Sequence, residues 1–266
     1  MRNTNLVDPH LEAQKLLTMS TREAEALFQS YPTEQQLEII SSTPDARDRE
    51  ELYYLVPDCT ELIQRSATAD VLQVLNTMLG TGLASVLLPC LSSEQFEEIM
   101  DFAIWRHGQL DEKALNLWLF ELAECERDEL AALLSQVDIG VLANLLRDRV
   151  KMGGDFRALF IEAGMVDPLE SGIKYADERA EAIVVAIWEA DVELFVRLLY
   201  EIFGLDKAED EVVELEAALE RAKEKRDERI QQRDKAAGIN ITDEEVLQRV
   251  DLNNLDLDDD EKDASN

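Results

Sequence analysis

Between about Arg47 and Val150 the apolar positions fall in short bursts, each closed by a polar or proline break and followed by a fresh helix-start signal. Leu52-Tyr53-Tyr54-Leu55-Val56 and Leu133-Leu134 are typical. Phe96, Ile99, Met100 and Ala103 keep to one face at i, i+3, i+4 and i+7, the spacing of a half-buried helix. Ala114, Leu115, Trp118, Leu119 and Leu122 make a second stripe, entered through Leu110-Asp111-Glu112. Leu130, Leu133, Leu134 and Val137 make a third. Asp138 then opens a fourth with Val141, Leu142, Leu145 and Leu146. Ser20 to Glu23, Thr33 to Gln36, Ser92 to Gln95 and Thr242 to Glu245 fit the capping-box pattern, and Asp58 to Glu61 is its Asp version. No run alternates apolar and polar residues, so strands are not expected. Short helices, short connections and a loose period of about 30–35 residues predict an all-α superhelical stack of the α-solenoid type. A compact helical bundle is the alternative architecture.

The cadence breaks at Lys151-Met152-Gly153-Gly154 and again from Gly164 to Pro168, which places a loop-rich boundary over roughly 151–172. The Gly pair reads as a helix terminator, because no strand precedes it and no Gly-Lys-Thr follows. Residues 173–204 are the most apolar helical stretch. From Lys207 to Ala237, Glu216, Glu220, Glu224 and Glu228 form one i, i+4 stripe, and Arg221, Lys225, Arg229 and Arg233 another, with Arg221–Glu224 and Lys225–Glu228 pairing at i, i+3. Val212, Leu215, Leu219 and Ala222 begin a heptad-like seam that Arg226 and Arg229 interrupt. That predicts a long, largely exposed helix whose first half docks, with a coiled-coil dimer as the alternative. The organisation is then a helical-repeat domain over 1–150, a helical hairpin over 151–205 that packs on or caps it, a charged helix over 206–237, and a short helix with a disordered acidic tail over 238–266.

Charge narrows the partners. The chain carries 58 acidic and 26 basic residues, a net charge of −32. Residues 206–266 hold 21 acidic and 10 basic residues, so the acidity is spread along the chain and not confined to the tail. Such a field disfavours nucleic acid and anionic lipid and favours basic protein surfaces or divalent cations. Val71 to Ser93 is uncharged, but Gln73, Asn76, Gly80, Gly82 and Pro89 interrupt it, so it reads as two short buried helices meeting at Gly80-Thr81-Gly82 and not as a membrane span. The N-terminus lacks the apolar core of a signal peptide. Cys59, Cys90 and Cys125 fall about once per repeat with no CxxC pair, which predicts reduced packing thiols in a cytoplasmic protein.

Candidate chemistry is sparse. The tail looks like a calcium loop at Asp256, Asp258 and Asp260, yet Glu261 stands where the loop needs glycine and the chain ends before its twelfth position. His10 and His107 are the two histidines, too few for a His-based zinc site. No GxSxG, dinucleotide fingerprint or HExxH occurs, so no catalytic residue, cofactor or metal site is expected. Glu97-Glu98, Glu121/Glu124 and Glu126/Asp128 could hold Mg²⁺ through water, though as exposed helix faces they need no such purpose. Trp105-Arg106-His107, placed at a helix end, is the polar-aromatic cluster of the repeat region and a candidate partner contact. Leu252, Leu255 and Leu257, embedded in carboxylates, are a second, as a docking peptide for an apolar groove with a basic rim.

Three segments carry a family resemblance: Leu52-Tyr53-Tyr54-Leu55-Val56; Ala103-Ile104-Trp105-Arg106 running into Leu110-Asp111-Glu112-Lys113-Ala114-Leu115; and Trp188-Glu189-Ala190-Asp191-Val192-Glu193-Leu194-Phe195. Over much of residues 45–250 the chain resembles a bacterial domain-of-unknown-function family of helical proteins, which implies a shared fold and no assigned activity. More loosely, residues 20–150 look like the cytosolic N-domain of MgtE-type magnesium transporters, a superhelix of short helices with acidic faces. The regulatory CBS pair and the membrane segments of those transporters are absent, and no metal ligand carries over. The function expected is a non-enzymatic scaffold, adaptor or accessory subunit that binds another protein, one with a basic surface being favoured. No nucleic acid and no membrane insertion are expected, and a homo-oligomer could form through the helix at 207–237. A Mg²⁺-responsive regulatory domain is the alternative.

Overall fold

In the computed structural model, which describes residues 8–152, 173–203 and 214–236, the all-α expectation holds. The first helices are α1 (Pro9–Thr18), α2 (Thr21–Phe28), α3 (Thr33–Ser41), α4 (Ala46–Tyr53), α5 (Thr60–Arg65) and α6 (Thr68–Met78). Two single 3-10 turns, Ala84–Val86 and Leu88–Cys90, lead to α7 (Ser93–Ala103), then α8 (Glu112–Ala123), α9 (Arg127–Leu134) and α10 (Ile139–Leu146). After them come α11 (Glu178–Ala190), α12 (Val192–Phe203) and α13 (Glu214–Ala236). Local chemistry sets several starts. The Ser92 hydroxyl accepts from the Gln95 N–H while the Gln95 side chain accepts from the Ser92 N–H, a complete capping box. Asp111 and Asp138 cap α8 and α10 through their carboxylates. Ser20 is the N-cap of α2 as expected, but its hydroxyl donates to Glu23 and caps no backbone group; two other expected starts shift by one residue, Pro32 standing at the N-cap before Thr33 and Cys59 at that before Thr60. The start expected at Thr242 lies outside the described residues.

The principal packing partners are near neighbours along the chain. Helix α1 rests on α2, α3 and α4; α3 on α4 and α5; α4 on α6; α6 on α7. The 3-10 turns bridge α5, α8 and α9, and α10 lies on α7. Helix α11 then covers α8 and α9, and α12 covers α10 and α11. One apolar core runs through all of them, with Phe28, Tyr53, Phe96, Trp118 and Phe195 among its largest fully buried side chains. Val71 to Ser93 is divided at Gly80 and Gly82, both at positive φ, but its second part is the pair of 3-10 turns and not an α-helix.

Two small hairpins depart from the expectation of no strands. In the first, β1 (Trp105–Arg106) pairs antiparallel with β2 (Gln109–Leu110) across His107 and Gly108, whose φ values of 52° and 74° are those of a type I′ turn. In the second, β3 (Val150–Met152) pairs with β4 (Ile173–Tyr175). Strands of two or three residues are too short to display an alternating pattern, which is why the hydropathy of the chain does not announce them. Gly153-Gly154, read as a helix terminator, lies outside the described residues.

Buried polar side chains tie helix ends to their neighbours. Gln36 donates to the Phe28 carbonyl (2.8 Å) at the end of α2, and Gln95 to the Ile63 and Ser66 carbonyls (2.9 and 3.1 Å) at the end of α5. Buried Arg49 donates through Nε to the Thr43 carbonyl beyond α3 and through Nη1 to Asp70 and Gln73 on α6. Glu97 accepts from the N–H of Asp138, the N-cap of α10, and burial pushes its carboxyl up. The bonds to the Phe28, Thr43, Ile63 and Ser66 carbonyls and from the Asp138 N–H each engage a backbone group at or just beyond the end of a short helix.

Helix α13 returns to the body through its basic stripe. Asp101 on α7 is fully buried, and its carboxylate takes a two-pronged contact from Arg229 (Nε–Oδ2 3.0 Å, Nη2–Oδ1 2.7 Å) and a third bond from Arg233 (2.9 Å). Arg226 donates to the Asp101 carbonyl (2.6 Å) and lies over the Trp105 ring, 5.4 Å from its centroid. Lys225 pairs with Glu201 on α12 (3.7 Å) and not with Glu228. Among the described side chains α13 docks through its second half; the expected docking of its apolar first half falls on side chains that lie outside the described residues. The arginines that interrupt the seam are the contact. Substituting Asp101→Ala should loosen α13 by about 2–3 kcal/mol, the range for hydrogen bonds to charged groups. Amide exchange over 223–236 should then quicken roughly 30- to 140-fold while α7 stays protected. Unchanged exchange in α13 would refute the clamp.

Candidate functional site

Helix α8 carries one side of an open concavity, and its anchor is a carboxylate. Glu121 stands three residues after Trp118, in phase with the buried stripe, and is completely enclosed. Its Oε1 accepts from the N–H groups of Gly80 (2.7 Å), Thr81 (3.1 Å) and Gly82 (3.0 Å), and its Oε2 from that of Ala84 (3.1 Å). The Leu83 N–H, which points elsewhere, is taken by the Thr81 hydroxyl (3.2 Å). Consecutive N–H groups converge on one point only when the backbone alternates in handedness, and Gly80 (φ 82°) and Gly82 (φ 80°) supply the left-handed residues. Burying a carboxylate without partners is prohibitive, and four N–H donors offset that cost here. The loop and α8 thus hold each other in place. The Cys125 thiol, just past α8, adds a contact to the Ser85 carbonyl (3.6 Å).

This anchor fixes the outer face of α8. Lys113, Asn116, Leu117 and Phe120 follow at helical spacing and, with Gly80 and Arg179 of α11, line an open concavity of about 530 Å³. Arg179 lies over the Phe120 ring at 5.0 Å from its centroid. Leu117 touches the Gly80 backbone so closely that a Cβ there would come within 3.2 Å of Leu117 Cδ2. Leu117 is 42% exposed, and Leu83 and Val86, in the stretch that follows the glycines, are 55% and 57% exposed. The face offers apolar contact area with two cationic groups at its edge. It brings together no nucleophile, base and acid of the kind that acyl or phosphoryl transfer requires.

The residues singled out from the sequence are distributed differently. Trp105, expected at a helix end, lies on β1, is buried, and is covered by Arg226 of the same chain, so its ring is not a free surface. Arg106 is exposed and pairs with Asp111 (3.2 Å), and His107 forms the hairpin turn. Leu252, Leu255 and Leu257 lie outside the described residues. Of the acidic pairs considered for Mg²⁺, Glu121 is enclosed with both oxygens taken by backbone N–H groups, and the half-buried Glu97 accepts from the Asp138 N–H through Oε1. Among the described residues no three His, Cys, Asp or Glu side chains are grouped to hold a metal ion, and no helix is long and apolar enough to cross a membrane. Asp101 and the seating of Glu121 on the Gly80–Gly82 loop are not among the sequence expectations, which take Glu121 as an exposed acidic residue paired with Glu124, although the phase of Glu121 within a buried stripe and the Gly-Thr-Gly spacing are both visible signals.

Residues 25–152 match a family of unknown function (DUF6178). The matched stretch runs from within α2 to the end of β3 and contains Gly80, Gly82, Asp101 and Glu121. The expected likeness to an uncharacterised family is met there, while Trp188 to Phe195, which also suggested it, falls beyond the match. No curated protein and no solved structure matches the chain. The nest yields a direct test of the site's foundation. Glu121→Ala, which takes the carboxylate from four N–H donors and leaves Thr81 alone among them with its bond to the Met78 carbonyl, should lower unfolding stability by about 3–5 kcal/mol in urea titration, the scale for breaking a buried charged contact. A loss below about 1 kcal/mol would show that the loop does not depend on Glu121.

Proposed function

We propose that this protein is a non-enzymatic interaction module, a scaffold, adaptor or accessory subunit that holds a protein partner on the outer face of α8. The observation that supports this reading is the exposure of Leu117 on α8 and of Leu83 and Val86 in the segment after Gly82, a segment the enclosed Glu121 carboxylate holds to α8. A preorganised apolar surface loses little freedom on binding, which is how a modest contact becomes a stable one. Lys113 and Arg179 at the edge suit a partner with acidic groups at this spot. The wider acidic surface still favours basic regions elsewhere on the same partner. Stacked short helices commonly present such extended faces. A cytoplasmic setting fits a chain whose three cysteines are free thiols.

The alternative, a divalent-cation-responsive domain like the N-domains of MgtE-type transporters, gains no specific observation, because the candidate carboxylates Glu97 and Glu121 are occupied by backbone donors. The test is affinity capture from the source cell, followed by reconstitution of any stoichiometric partner with the purified chain. The double variant Leu83→Glu/Leu117→Glu should weaken that partner's binding at least about ten-fold, as loss of an interface anchor does. Val192→Glu, at another exposed apolar position, should leave it unchanged. Removing residues 251–266 in the same assay assigns any contribution of Leu252, Leu255 and Leu257. Full binding by the double variant would exclude the α8 face, and a chain that captures no stoichiometric partner would count against the module itself.

A further inference from the structure

The three cysteines do not share one environment. Cys59 is buried at the N-cap of α5, and Cys90 is partly exposed at the end of the second 3-10 turn, which packs against α5. Their sulfurs lie 3.9 Å apart, the Cys59 thiol donating to Cys90. Cys125 stands apart, its thiol directed at the Ser85 and Glu121 carbonyls. Two sulfurs from segments 31 residues apart are thus already in contact, one reachable from solvent and one behind it. This is the arrangement of an attacking and a resolving thiol.

We infer that Cys59 and Cys90 form a redox-active dithiol that low-molecular-weight disulfides convert to an intramolecular disulfide. The Cys90 thiolate attacks one sulfur of the small disulfide; that S–S bond breaks, and one small thiolate leaves. Cys59 gives up its proton and attacks the Cys90 sulfur of the mixed disulfide, expelling the second small thiolate. The dithiol is oxidised by two electrons, the small disulfide is reduced to two thiols, and the two protons lost by the cysteines end on them. The hydrogen bond from Cys59, with another from Thr60, draws the Cys90 thiol below its ordinary range, which favours its thiolate. The same contact and burial push Cys59 up, and burial pushes Cys125 up to about 12, which leaves Cys90 the reactive sulfur. Bond formation requires the sulfurs to close from 3.9 Å to about 2.05 Å, a side-chain rotation plus a small shift of a single 3-10 turn. The bridge would enclose α6 and the Gly80–Gly82 loop, fixing the segment that seats Glu121.

The test uses the reduced, folded full chain with oxidised glutathione as the probe, then alkylation of the remaining thiols and peptide mass mapping. The expected product has lost two hydrogens, carries a Cys59–Cys90 linkage, leaves Cys125 alkylated and reverts with dithiothreitol. Cys59→Ser should stop at the mixed disulfide on Cys90, and Cys90→Ser should form no bridge and take up no glutathione at Cys59. The same reagent on the denatured chain confirms that all three thiols can react. Glutathione retained on Cys90 of the unaltered chain, first reaction at Cys125, or three free thiols in the folded chain would each overturn the proposal.

Discussion

A protein built from short helices is a protein of many helix ends, and each end leaves backbone donors or acceptors with no partner inside its own helix. With most helices of eight to thirteen residues packed on one continuous core, these ends come to lie in the interior. The buried polar side chains answer that requirement one by one. Gln36, Arg49 and Gln95 serve open carbonyls after α2, α3 and α5, and Glu121 serves open N–H groups after α6. Arg226 does the same at the last turn of α7. Apolar packing supplies most of the driving force, but these bonds decide which end sits beside which helix. They convert a set of interchangeable amphipathic cylinders into one arrangement.

The charge balance is divided along the same line. Acidic groups outnumber basic ones by 32. Several basic groups are drawn inward: Arg49 between α3, α4 and α6, and Arg226, Arg229 and Arg233 around Asp101. Arginine suits this use because its planar fork can meet a carbonyl and a carboxylate together and stack on an aromatic ring. The arrangement gives α13, which has little apolar character in its second half, a means of attachment that an apolar seam would ordinarily provide.

How much of this was legible follows from sequence distance. Ser92, Asp111 and Asp138 cap helices that begin within three residues of them, and the stripes of α7 to α10 repeat within a single helix, so both were readable directly. The turn at His107-Gly108 was also local, yet the two-residue strands beside it carry no periodic signature. Glu121 and the Gly80 loop stand about 40 residues apart, and Cys59 and Cys90 are separated by 31. Such pairings arise from how helices pack and leave no trace in local spacing. Asp101 is the sharpest case, since an acid in a helix reads as solvated until the arginines that enclose it are known to return from far downstream. The burial of Trp105 was hidden for the same reason: the ring's cover is supplied by α13.

The Asp101 clamp also sets an order of events during synthesis. The arginines that close on Asp101 are made 125 to 132 residues after it. At ribosomal speeds of about 5–20 residues per second, the carboxylate waits roughly 6–25 seconds for its partners. Through that interval Asp101 keeps a water shell on a face of α7 that the finished molecule covers, while α8 to α12 are already emerging and packing. The stripe of α7 around Asp101 therefore stays hydrated until the second half of α13 is made.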